Sequence, residues 1–322
     1  MDVVVGIDIG GTKTKIGLVN KQGQVLEQTY FRTRHYPILE EYLDQIDTTI
    51  DILIRQCVTP VELLGIGIGA PNASSKNGTI EHASNLVWKG IVPIVEILQQ
   101  RRALPTKLMN DASVAALGEL LFGNAQNMTD FIVVTLGTGF GSGIVANGKL
   151  IDGYDGFAGE LGHLDITLGD GRLTGQGVSG GLEAYVSATG LKRTVMYMLA
   201  YHMDDSRFRS IAYTDLHGEE ITQAADEGDL IAIKAFDYTA KILGTALANF
   251  VAFTQPQAFI LMGGLADSQK WLVEPARKYM EASLLPFYKG KVQLLSSGLK
   301  KSEAAICGAA SLIWQDYGVM EV

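Results

Sequence analysis

Gly10 and Gly137 stand 127 positions apart, each in a glycine-rich turn between two short apolar strands, and no other feature constrains the fold as much. The first segment runs Val5-Gly6-Ile7-Asp8-Ile9-Gly10-Gly11-Thr12-Lys13-Thr14-Lys15-Ile16-Gly17-Leu18-Val19. The second runs Ile132-Val133-Val134-Thr135-Leu136-Gly137-Thr138-Gly139-Phe140-Gly141-Ser142-Gly143-Ile144-Val145. Overlaid without a gap they share only Gly10/Gly137, with Asn20/Asn147 matching just beyond them, yet Ile7/Val134, Ile9/Leu136 and Leu18/Val145 keep the apolar alternation of a hairpin. Glycine leaves no side chain in the way, so each turn can bring backbone N–H groups against an anion. Two such loops facing each other would hold the phosphates of one nucleotide between two halves of a protein. The pattern implies a phosphotransferase.

At 322 residues the chain is long for one core, so two domains with a cleft between them are expected. The net charge of −9, with no basic block, argues against nucleic acid and anionic membranes as partners. A nucleotide would then be held by local N–H groups and Mg²⁺ rather than by a positive surface. Cys57 and Cys307 lie far apart in apolar helical contexts and read as reduced core residues. The N-terminus enters a strand at once, leaving no room for a signal peptide, and no apolar run approaches the roughly 20 residues of a membrane span. The expectation is a soluble, cytoplasmic protein.

Strand patterns at 3–9, 14–19 and 25–31 precede a helical face through Leu39, Tyr42, Leu43, Ile46, Ile50, Leu53 and Ile54. A buried strand at 64–68, a helix at 93–102, a strand at 106–109 and a helix at 111–122 follow, the alternation of an α/β half with partly parallel strands. The second hairpin restarts that order. Asn147-Gly148 signals a tight turn into a strand at 149–151, and the glycine-rich stretch 153–181 reads as a functional surface loop. Helices are expected at 183–203, 229–254, 268–285 and 302–314, with strands at 257–262 and 292–295. These halves describe a two-domain actin-like ATPase (ribonuclease H-like) architecture. The N-terminal domain would take residues 1–115, joined by the C-terminal helix 302–322, and the larger C-terminal domain 116–301.

Asp8 ends a strand just before the turn Gly10-Gly11-Thr12, where a carboxylate would repel phosphate unless a cation lay between them. Its natural role is to hold Mg²⁺, directly or through water; the bland alternative is a turn-capping Asp. Thr12 and its neighbouring N–H groups would contact phosphate oxygens, and Lys13 is either a further phosphate contact or solvated surface. Thr135, Gly137, Thr138 and Gly139 take the same part in the second turn. Asn110-Asp111 lies at the C-terminal end of a strand and opens a helix, the edge of an α/β sheet where ligands bind. Asp111 could be a helix cap, but between two phosphate turns it reads as the carboxylate that accepts a hydroxyl proton, an effect worth on the order of 10²–10⁴ in rate.

Glu160, His163 and Glu183, with Asn85 and Asn110, form a mixed set of acceptors and amides suited to a polyhydroxylated substrate; taken singly, Glu183 also reads as a first-turn helix carboxylate and His163 as a packed histidine. Gly263-Gly264 after a strand would let an adenine or ribose approach the backbone. Gly175-Gln176-Gly177-Val178-Ser179-Gly180 matches G-x-G-x-x-G, but no βαβ unit surrounds it, and no Walker G-K-[ST] occurs.

Gly6–Lys13 taken with Gly65–Pro71, Asn85-Leu86-Val87-Trp88-Lys89-Gly90, Asn110-Asp111-Ala112, Thr135–Gly143, Gly159–His163 and Leu182-Glu183 resembles the ROK family of sugar kinases over nearly the whole chain. The resemblance implies a hexokinase-type fold with ATP and Mg²⁺ in the cleft. It also implies Asp111 as base for the sugar's 6-hydroxyl, Asn85, Asn110, Glu160, His163 and Glu183 on the ring, and the two glycine hairpins on the phosphates. Many members carry three cysteines in the loop after Gly-His that bind zinc together with that histidine. Here Thr174, Gln176 and Gly181 stand at those positions, so no such zinc site is expected. Family repressors have an N-terminal DNA-binding region, whereas this sequence starts at the first strand.

The activity expected is phosphorylation of a hexose at the 6-hydroxyl, with glucose first. N-acetylmannosamine, N-acetylglucosamine or fructose kinase activity is the nearest alternative, and a non-catalytic sugar sensor the alternative of another class. Polyphosphate as donor would favour a more basic cleft. The family leaves room for a homodimer, which no residue pattern here demands.

Overall fold

The computed structural model describes residues 1–318; the last four residues of the expected 302–322 helix lie outside the described residues. In chain order, β1 (Asp2–Ile9), β2 (Lys13–Asn20) and β3 (Val25–Arg32) form a meander, followed by α1 (Leu39–Gln56) and β4 (Glu62–Ala70). Three short strands come next, β5 (Ala73–Ser74), β6 (Thr79–Glu81) and β7 (Ile91–Val92), then α2 (Ile94–Arg102), β8 (Thr106–Asn110) and α3 (Asp111–Phe122). The second series opens with β9 (Phe131–Leu136), β10 (Phe140–Ala146) and β11 (Lys149–Leu150) and continues through α4 (Glu183–Val186), α5 (Ala188–Tyr201), α6 (Gly218–Asp226) and α7 (Leu230–Thr254). It closes with β12 (Ala258–Met262), α8 (Glu274–Ser283), β13 (Gln293–Ser296) and α9 (Ala304–Trp314).

The two large sheets repeat one topology. The first has the order β3-β2-β1-β4-β8 and the second β11-β10-β9-β12-β13. In each, a hairpin supplies the first antiparallel strands, and two strands reached by helical crossovers then add in parallel. The turn between β10 and β11 has Asn147 and Gly148 both left-handed (φ 51 and 72), the conformation that the Asn-Gly pair favours. A third, three-stranded sheet joins β5, β6 and β7.

The chain divides into two compact units. The first comprises Met1–Thr129, Gly143–Gly159 and the stretch from Ser297 onward; the second comprises Asp130–Ser142 and Glu160–Ser296. Within the first, α9 lies directly on the sheet against β1 and β4 and packs on α3. That approach depends on missing side chains: a Cβ on Gly67 would sit 1.8 Å from the Ala309 carbonyl oxygen, and one on Gly6 2.2 Å from that of Ile306. Val3, Val5, Ile7, Ile66 and Ile68 fill the core on these strands, closed by Tyr42, Leu43, Ile46 and Ile50 from the apolar face of α1. Glu119 of α3 is fully buried in the same unit. Its carboxylate accepts from the Ser297 hydroxyl, from Gly298 N–H at 3.2 Å and from Asn124 N–H at 2.8 Å.

Two expected helices are interrupted. The 183–203 segment breaks at Ser187, whose ψ of 170° ends α4 and whose side chain caps α5 by accepting from Gly190 N–H at 3.0 Å. The 268–285 segment begins as a wide π-type turn over Gln269–Val273 before α8. Pro275 has no N–H to donate and its ring crowds the carbonyl four residues back, which explains why regular α-geometry starts late. Asp229 caps α7, accepting from Ile231 and Ala232 N–H. Helix α6 and strands β5–β7 were not expected from the sequence.

Candidate active site

In the first unit, sheet register sets the layout. Asp8 on β1 is level with Gly69 on β4, and Gly69 with Met109 on β8, so Asn110 and Asp111 emerge just past that line. Gly69 carries no side chain, and a Cβ there would lie 3.8 Å from the Asp111 Cα. Hairpin pairing also places Lys15 opposite Asp8, and the Lys15 ammonium lies 3.7 Å from the Asp8 carboxylate. Burial pushes the Asp8 carboxyl up to about 6; the Lys15 charge pulls it down and the Asp111 charge adds to the rise.

Asp111 retains solvent access but is closely surrounded by protein, and the resulting desolvation raises its pKa above the usual aspartate range. One of its oxygens accepts from Ala112 N–H at 2.8 Å, and the Asn110 side chain accepts from the same group at 2.9 Å as cap of α3. Asp111 therefore stands at the first turn of a helix, close to a second carboxylate.

The first glycine turn is held from behind. Gly10 N–H closes it by donating to the Lys13 carbonyl at 3.0 Å. The Gly10 carbonyl accepts from the Thr33 hydroxyl at 2.7 Å, and the Gly11 carbonyl from Arg34 Nε at 3.2 Å. A trans peptide points its N–H opposite to its C=O. Fixing those two carbonyls turns the N–H groups of Gly11 and Thr12 the other way. Gly11 also touches Asn85, whose carbonyl oxygen would lie 2.6 Å from a Cβ at position 11. Thr12 and Lys13 are exposed, and the Lys13 ammonium sits 4.2 Å over the Tyr30 ring.

The second unit repeats the device with different residues. Gly137 N–H donates to the Gly139 carbonyl at 3.1 Å. The Gly137 carbonyl accepts from Ala188 N–H and the Thr138 carbonyl from the Thr189 hydroxyl, both at 2.9 Å. The N–H groups of Thr138 and Gly139 are thereby turned outward, and the break at Ser187 is what brings Ala188 and Thr189 into reach. Thr135 accepts from Gly141 N–H at 3.1 Å. Gly263 (φ +96) runs against the same turn, where a Cβ would lie 2.5 Å from the Leu136 carbonyl oxygen, and Gly264 follows it exposed.

Glu183 joins this turn to the glycine-rich loop. One carboxylate oxygen accepts from Phe140 N–H at 3.0 Å and the other from Gly175 N–H at 3.1 Å. Gly162 abuts the Phe140 carbonyl, which seats the adjoining His163 beside the same hairpin. The His163 Nε2 atom is 3.8 Å from Glu160, while Nδ1 is buried without a protein partner. Thr135, Gly137, Thr138, Gly139, His163, Glu183 and Gly263 thus gather at one end of the second sheet. Asp8, Gly10, Gly11, Asn85, Asn110 and Asp111 gather in the first unit.

A family model described as the ROK family matches residues 4–316. This chain belongs to the ROK family. Among relatives of this ROK protein, a glucokinase of Halalkalibacterium halodurans is 31% identical, covering 98% of this chain and 96% of its own. A solved ROK family glucokinase from Streptomyces griseus, in complex with glucose and AMPPNP, superposes with a TM-score of 0.80 at 31% identity, covering 97% and 99% of the two chains. A xylose repressor of Caldicellulosiruptor bescii is 29% identical, covering 97% of this chain and 78% of its own. The fold of this ROK protein is the actin-like ATPase fold its sequence implied.

A zinc ion of the family kind does not fit the residues present. Thr174 is buried with its hydroxyl accepting from Val178 N–H at 3.1 Å, Gln176 is exposed, and Gly181 has no donor side chain. Among the described residues no group of three or more His, Cys, Asp or Glu side chains is placed to hold a metal ion. Of the residues that shape this ROK site, Lys15, Thr33, Arg34 and Thr189 were missed from sequence. Lys15 alone had a signal, since the hairpin that pairs Ile9 with Thr14 must pair Asp8 with Lys15.

Proposed function

We propose that this chain transfers the γ-phosphoryl group of ATP to the 6-hydroxyl of a hexose, and that the hexose is glucose. The observation carrying this reading is Asp111: a solvent-open carboxylate with a raised pKa, at a sheet edge beside Asp8 and a turn with outward N–H groups. Asp111 accepts the hydroxyl proton as the sugar oxygen attacks phosphorus, and the bond to the ADP oxygen breaks. The N–H groups of Gly11, Thr12, Thr138 and Gly139 stabilise phosphate oxygens. Asn85, Asn110, Glu160, His163 and Glu183 hold the sugar hydroxyls; Glu183, already bonded to two backbone amides, keeps further lone pairs for this.

Asp8 offers a hard oxygen donor near a second carboxylate and fits Mg²⁺, held directly or through water. Bound there, Mg²⁺ would neutralise the phosphate charge. ATP as donor suits a cytoplasmic enzyme, and no helix among the described residues is long and apolar enough to cross a membrane. The likeness to glucokinases at 31% identity supports glucose, and the likeness to xylose repressors keeps a non-catalytic sensor as the second reading.

A coupled ADP-release assay with Mg-ATP over a panel of hexoses and acetamido sugars tests the proposal. The expected result is the highest kcat/KM with glucose. A higher value with fructose or an acetamido sugar reassigns the substrate, and no turnover with any sugar favours the sensor.

A further inference from the structure

The loop from Leu164 to Leu182, which separates His163 from Glu183, is ordered by a network centred on Arg172. Two isolated bridges fold it on itself, Asp165 with Gly181 and Leu173 with Ser179. Asp165 closes the tip by accepting from Thr167 N–H at 2.7 Å. Gly180 (φ +74) fits there only without a side chain, since a Cβ would lie 2.2 Å from both Asp165 and Thr167 oxygens. This fold holds the loop together but does not fasten it to the rest of the unit.

Arg172 does so. Its guanidinium lies 4.7 Å from the Tyr185 ring centre and donates to the Thr194 hydroxyl at 2.8 Å and the Gly190 carbonyl at 3.4 Å. Its backbone N–H donates to the Tyr185 hydroxyl at 3.0 Å, so Tyr185 is gripped at its face and at its tip. Arg193 of α5 donates to the Leu173 carbonyl at 2.6 Å from the other direction. A guanidinium is planar and always charged, so it stacks and donates at once, which a lysine cannot reproduce.

We infer that Arg172 is a positioning residue that anchors the 164–182 loop to α4 and α5, so that His163 and Glu183 keep their places without a metal ion. The inference rests on the proposed sugar-binding role of those two residues, but the anchoring itself is independent of it. Loop order in this chain is therefore insensitive to zinc and sensitive to Arg172.

Amide hydrogen exchange on the full chain, without sugar or nucleotide, reads this directly. In Arg172→Met, exchange of peptides within 164–182 should quicken about tenfold or more, the loss expected for a stacked cation and its hydrogen bond, with β1 and β4 unchanged. Arg172→Lys should fall between. Dialysis of the wild type against 1,10-phenanthroline should leave the pattern as it was. Should Arg172→Met fail to fold, Thr194→Val removes the hydroxyl acceptor without touching the loop and should quicken exchange there by about threefold. Unchanged loop exchange in the folded variants, or faster exchange on chelation, overturns the inference. In the same Arg172→Met protein the sugar Kd by calorimetry should rise while the ATP Kd stays within about twofold. If loop exchange quickens but neither variant nor wild type binds any sugar, the anchoring stands and the kinase reading falls.

Discussion

The Lys15 ammonium faces the Asp8 carboxylate at 3.7 Å because the β1–β2 hairpin pairs those two positions. This lysine opposes the rise that burial and Asp111 impose. Removing it should make Asp8 harder to ionise. In Lys15→Met the Asp8 carboxyl, followed by ¹³C NMR titration, should titrate above about 6, and the acid limb of Mg-ATP turnover should move to higher pH with it. An unmoved titration would show that the ammonium does not act on Asp8 in solution.

Asp8 also sets a pH dependence of stability. Its folded pKa of about 6 exceeds the ordinary value of 3.8, so between those values the folded state binds more protons than the unfolded state. Stability contributed by this site therefore falls as pH rises from about 4 through 6, and the charged form is held at a cost above that window. Asp8→Asn mimics the protonated form. It should be more stable than the wild type at pH 8 by up to about 3 kcal/mol, from roughly 1.4 kcal/mol per pKa unit, and equal to it near pH 3. Urea denaturation at the two pH values measures this; a variant less stable at pH 8 contradicts the cause assigned to the shift.

Glu119 carries a structural load instead. Its buried carboxylate accepts from the Ser297 hydroxyl and from the N–H groups of Gly298 and Asn124, and truncation removes an acceptor that all three share. Glu119→Ala should lose about 1–3 kcal/mol in chemical denaturation, with Glu119→Gln losing less. A loss under about 0.5 kcal/mol would mean that water replaces the carboxylate at no penalty.

Both hairpins and the parallel strands after them were legible because period-two apolar runs end at glycine turns, and a repeated turn exposes a repeated topology. The position of Asp111 was legible for a related reason: an apolar strand run ends just before Asn110-Asp111 and a helical run starts there. The support behind each turn was not legible. Thr33, Arg34 and Thr189 are ordinary polar residues whose role depends on which carbonyl they reach in three dimensions. Ser187 breaks a segment whose apolar spacing continues on both sides, so periodicity alone reads one helix there. Strands β5–β7 span two or three residues each, too short for alternation to register. Arg172 carried no signal either, since its partners Tyr185 and Thr194 lie on two different helices.

The proposed activity depends on proton acceptance by Asp111 during phosphoryl transfer to a sugar hydroxyl. Wild type and Asp111→Asn should be compared in ADP release with Mg-ATP and glucose, with glucose affinity measured by calorimetry. In the variant kcat should be lower by a factor on the order of 10²–10⁴, with glucose Kd changed by less than about fivefold. A variant that turns over glucose at the wild-type rate would contradict it.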